Sequence, residues 1–124
     1  MTTNLTDMEG INWVQVGDLI GDENDQEQMA ALALMWREMV ANVNAEWGVI
    51  ARLEDDIAIA GALHRVRGVV AMWGLEAVAA HMLACENGVT PREKWRAESD
   101  EIGALRDRGI LAIERRYPAF KTEG

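Results

Sequence analysis

The chain has 124 residues, of which 49% are hydrophobic and 27% charged, and its formal net charge is −9. That length and apolar content suit a single domain spanning residues 1–124, with its packed part at about 10–116. The acidity argues against nucleic acid, whose phosphates call for Lys and Arg, and against anionic membrane surfaces.

The first ten residues, Met1 to Gly10, are polar and lack the basic and apolar segments of a leader. No apolar run approaches the ~18 residues of a membrane span. Cys85 is the sole cysteine, so no intrachain disulfide can form, and a reducing, cytoplasmic setting is expected.

From there the pattern is helical throughout, rich in Ala, Leu, Met and Glu and without strand-like alternation. A short first helix is expected over about Ile11–Ile20, closed by Gly21. Asp22-Glu23-Asn24-Asp25 then forms an acidic helix start; it lacks the ligand alternation of a calcium loop. The second helix, about Asp25–Leu53, carries Met29, Leu32, Trp36, Met39, Val43, Trp47, Ile50 and Leu53 as one apolar stripe.

Glu54-Asp55-Asp56 caps a third helix over about Ile57–Trp73, ended by Gly74. A fourth runs over about Leu75–Glu86, with Leu75, Val78, Ala79, Met82 and Leu83 facing inward, and Asn87-Gly88 stops it. Thr90-Pro91-Arg92-Glu93 reads as a capping box opening a last helix to about Arg116, weakened by Gly103 and Gly109. The expected fold is all-α: an antiparallel four-helix bundle with a short extra N-terminal helix.

The third helix holds the candidate chemistry. At about 100° per residue, Ile59, Leu63, Val66, Val70 and Trp73 gather on one side, and His64 lies roughly 140° away. Its neighbours one turn off are Ala60, Gly61, Arg67 and Gly68, with Ala71 two turns on. Two helical glycines cost about 1 kcal/mol each relative to Ala, and they clear space for a large partner. A neutral imidazole carries a lone pair able to attack phosphorus. Arg67 offers donors for phosphoryl oxygens, and Gly68 leaves the approach uncovered. No phosphate-binding Gly-rich loop or kinase motif is present, so the chain is not expected to use ATP or to be an enzyme in its own right.

At these residues the sequence resembles the histidine-containing phosphotransfer (HPt) family of phosphorelays. The family pattern is His, an apolar residue at +2, Lys or Arg at +3, and Gly at +4 and +10. Here these are His64, Val66, Arg67, Gly68 and Gly74. Ile11-Asn12-Trp13 resembles the family's opening helix, and Leu83-Ala84-Cys85-Glu86 the helix after the second glycine. Val69 stands where the family often has a small residue, and Trp73 is larger than the usual aliphatic.

The resemblance implies a four-helix HPt-like fold and a phosphoryl group accepted on His64 from a receiver-domain aspartyl phosphate, then passed to another receiver. It implies Arg67 and Gly68 as phosphoryl-supporting, and Ala60, Gly61 and Ala71 as docking positions. Response-regulator receivers, and a hybrid histidine kinase, are the implied partners, with Mg²⁺ supplied by the receiver and no cofactor bound by this chain. Nothing calls for a dimer, so a monomer is expected. The alternative is a helical adaptor that binds a receiver or kinase without carrying phosphate.

A metal-dependent helical enzyme is the weakest reading. His81 and Cys85 lie at i and i+4 with Glu86 beside them, but no fourth ligand is evident, so Cys85 reads as a core residue and His81 as partly buried. The five tryptophans read as core packing.

Overall fold

A computed structural model describes residues 10–87 and 94–121, and these are all-helical, with no β-strand among them. The helices are α1 (Trp13–Ile20), α2 (Gln26–Ile50), α3 (Asp56–Met72), α4 (Glu76–Glu86) and α5 (Trp95–Arg116), followed by a 3₁₀ turn, Pro118–Phe120. No described helix is long and apolar enough to cross a membrane.

The first three helices begin on side-chain caps. Asn12 accepts from the Gln15 amide at 3.1 Å, Asp25 from Gln28 at 3.1 Å and Asp55 from Ala58 at 2.9 Å. Each cap satisfies a backbone donor that the helix leaves without a partner. The expected capping box at Thr90–Glu93 lies outside the described residues. Helix α2 stops at Ile50 rather than Leu53. Beyond it the Arg52 and Leu53 amides donate to the Val49 and Ile50 carbonyls in tight turns, and Asp55 then starts α3.

The stripe of α2 is inward as expected, with Leu32, Trp36, Met39, Val43, Trp47 and Ile50 buried. Trp36 meets Trp73 edge-on at 5.3 Å and stacks on Phe120 at 5.8 Å. Trp47 meets Trp95 at 6.1 Å. Four of the five tryptophans are therefore core, and Trp13 packs at its edge. The bulk of Trp73 is used inside the fold, where it is 2% exposed.

Gly74 is the joint between α3 and α4, at φ +81. A Cβ there would lie 2.6 Å from Val16 Cγ2 and 3.0 Å from the Asn12 carbonyl. The Asn12 amide donates to the Gly74 carbonyl at 2.9 Å, tying the entry of α1 to this turn. Both the left-handed backbone and the close approach require glycine. The most extensive helix pairing is α3 on α4, and α4 also packs against α5.

One inward expectation on α4 fails. Leu83 is 41% exposed, and the buried set is Val78, Ala79, Met82 and Cys85. Positions 78, 82 and 85 follow the helical period, and Leu83 falls off that stripe. Gly109 also differs from expectation. A Cβ there would meet Leu75 Cδ2 at 2.6 Å, so it lets α5 approach closely rather than merely weakening the helix.

Candidate functional site

Helix α3 buries Ile59, Ala62, Leu63, Val66 and Val70, and that choice turns His64 outward. The His64 side chain is 69% exposed. Cβ atoms added at Gly61 or Gly68 would meet nothing within 4 Å, so the backbone on both sides of the ring is open. Gly61 and Gly68 are exposed, whereas Ala60 and Ala71 are half-buried and offer only part of their surface. Val69 and Met72, at 39% and 46% exposure, extend the outer side of α3 with apolar surface.

The ring is held by a residue that sequence reasoning missed. Glu86, the last residue of α4, places Oε1 2.9 Å from His64 Nδ1. The same carboxylate accepts from Arg67 Nε at 2.5 Å, and Arg67 Nη2 lies 3.4 Å from Oε1. Glu86 is 12% exposed and Arg67 27%, so the pair forms a partly sheltered floor beneath the ring.

Arg67 Nη2 also approaches His64 Nδ1, at 3.1 Å. Nδ1 cannot donate to Glu86 and accept from Arg67 at once. The carboxylate can only accept, so an unprotonated Nδ1 would set two lone pairs against each other at 2.9 Å. Arg67 has spare N–H vectors and can aim them at Glu86 instead. The network therefore favours Nδ1–H donating to Glu86, which leaves the lone pair on Nε2, the nitrogen away from Glu86.

The electrostatics agree with this assignment. The Arg67 hydrogen bond, opposed by burial and aided by the His64 contact, holds the Glu86 carboxyl below its ordinary range. The same bond to Glu86 raises the Arg67 guanidinium. Glu86 is thus an ionised acceptor, able to stabilise positive charge on the ring.

Arg67 was expected to face phosphoryl oxygens. It does stand beside His64, but its Nε and Nη2 are turned onto Glu86, leaving Nη1 as its remaining donor group. Glu86 was legible in principle. It and His64 lie at similar distances either side of Gly74, about 18 and about 15 Å of helix rise, so a chain that turns back there brings them level.

The second histidine is arranged differently. His81 Nε2 lies 2.6 Å from Glu98 Oε2, joining α4 to α5. The carboxylate at His81 is that of Glu98, while Glu86, which the sequence set beside His81 and Cys85, turns to His64; Cys85 is buried as expected.

No protein-family model, curated protein or solved structure matches this chain. Its chemistry therefore rests on its own residues.

Proposed function

We propose that this protein is a phosphorelay intermediate of the HPt type, carrying a phosphoryl group on His64 Nε2 between receiver domains. The observation that supports this most is an exposed imidazole, anchored through Nδ1 by Glu86, between two glycines that leave the approach bare. On this reading the helices pack as an antiparallel four-helix bundle, and the protein works in the cytoplasm as a monomer.

The step is a displacement at phosphorus. The Nε2 lone pair attacks the phosphorus of a receiver's aspartyl phosphate, an N–P bond forms, and the P–O bond to the aspartate breaks. The carboxylate leaves with the electron pair. Nδ1 keeps its proton, so the ring gains positive charge while bonded at both nitrogens. Glu86, 2.9 Å away, offsets that charge without moving. In the return step a second receiver's carboxylate attacks phosphorus, the N–P bond breaks, and the ring becomes neutral again. The receiver's Mg²⁺ would neutralise phosphoryl oxygens in both directions. His64 is the catalytic residue; Glu86 and Arg67 position it.

Incubation with a phosphorylated receiver tests the proposal. An acid-labile, alkali-stable phosphate on the wild type, absent from His64→Gln at unchanged helicity, is the expected result. Label retained by His64→Gln would move the site elsewhere. A wild type that binds receivers yet takes up no label would make the protein an adaptor instead.

A further inference from the structure

We infer that His81, Cys85 and Glu98 form a zinc site bridging α4 and α5. This inference is independent of the phosphotransfer reading. The one ligand atom each residue offers lies within 4.8 Å of the other two. His81 and Cys85 share one face of α4 at i and i+4, and Glu98 comes across from the first turn of α5. The sequence set Glu86 beside His81 and Cys85 and showed no fourth ligand; the packing of α4 on α5 brings Glu98 to the pair in place of Glu86.

The donor chemistry selects the metal. A thiolate, an imidazole and a carboxylate suit zinc, whose bonds to these donors run about 2.0–2.3 Å. Donors around a tetrahedral ion then stand about 3.3–3.8 Å apart. The widest separation here must close by about 1 Å, and the His81–Glu98 contact at 2.6 Å must open by less than that. Rotation about side-chain torsions covers both changes. In the metal-bound form the His81 nitrogen that faces Glu98 gives its lone pair to the ion while the ring keeps its proton on the other nitrogen, Glu98 binds as the carboxylate, and the Cys85 thiol releases its proton to solvent. Cys85, 8% exposed, supplies a sheltered sulfur, whereas the His81 and Glu98 side chains, at 23% and 28%, leave a fourth position open to water. His64 and Glu86 form no part of this set, since their third partner is the cation Arg67.

Titration of the full chain with Co²⁺, followed by displacement with Zn²⁺, is the test. One equivalent of Co²⁺ should produce thiolate-to-metal charge-transfer absorption in the near ultraviolet. Zinc should bleach it. Cys85→Ser, His81→Asn and Glu98→Gln should each weaken zinc binding by more than the ~10–100-fold that follows loss of a group one shell further out. His64→Gln should bind zinc as the wild type does. A wild-type cobalt spectrum without the thiolate band overturns the site whether or not the variants fold. So does zinc binding that survives Cys85→Ser, or that disappears in His64→Gln.

Discussion

The molecule contains two histidine–glutamate pairs, and they differ in everything except the pairing. His64 meets Glu86 at 2.9 Å and His81 meets Glu98 at 2.6 Å. At the first, the ring stands 69% exposed and a guanidinium completes the group. At the second, the ring is 23% exposed and a buried thiol completes it. A carboxylate fixes an imidazole in both places, so what the ring can do depends on its other neighbours. Beside a cation and bare backbone it would serve, on the function proposed above, as a nucleophile for an incoming anion. Beside a thiol it would be one donor of the inferred metal-binding set.

Closing the open side of the first pair should produce the largest effect. Gly68→Leu places a branched side chain one turn from His64, where a partner would have to sit. Phosphotransfer should fall about a hundredfold, the scale of losing a central contact of an interface. A Cβ at position 68 meets nothing within 4 Å, so the thermal midpoint should not fall. A Gly68→Leu protein that transfers phosphate at the wild-type rate would break the link between the open backbone and function.

Exchanging the carboxylates sharpens the contrast. Glu86→Gln keeps the shape but removes the charge opposite His64 Nδ1. Phosphotransfer should slow about tenfold, matching one positioning hydrogen bond of roughly 1.4 kcal/mol. Glu98→Gln alters the other pair and should leave the transfer rate within about twofold, since sites without shared partners act independently. Equal losses in the two variants would mean that Glu86 acts through general stability rather than through the ring.

Most of the helical layout was legible because periodicity reports burial directly. The α2 stripe, the inward positions of α3 and the caps at Asp25 and Asp55 all come from local rules. The outward direction of His64 followed from the same wheel. What local rules could not reach were contacts between helices. The sequence set Glu86 beside His81 and Cys85 rather than His64 and gave Glu98 no role, and both partnerships appear only when α3 packs on α4 and α4 on α5. Leu83 shows the reverse failure: an apolar residue was assigned inward by type, although its angle on α4 faces water.

The glycines separate the two regions by a smaller, opposite effect on stability. Three residues before and four after His64 stand Gly61 and Gly68; four residues on either side of His81 stand Ala77 and Cys85. Gly61→Ala and Gly68→Ala should each stabilise the fold by about 0.5–1 kcal/mol, because helical glycine carries excess entropy and the added methyl meets no atom. Calorimetry of the two variants checks this. A drop in midpoint would show that something already covers the glycines.

The acid limb of the stability curve gives the subtlest comparison. Glu86 is held below its ordinary range in the folded protein, first by the Arg67 hydrogen bond and also by His64. A carboxyl whose folded value is depressed binds fewer protons folded than unfolded. Its contribution is then complete above the ordinary carboxylate range and is lost as pH falls through the folded value. Denaturant midpoints of wild type and Glu86→Gln should therefore differ most near neutral pH and converge in acid. Glutamine has no proton to gain there, so the variant should lack this part of the pH dependence. A gap between the two curves that stays constant from neutral to acid would mean that Glu86 is not held ionised by Arg67, and the case for a fixed acceptor beneath the His64 ring would fall with it.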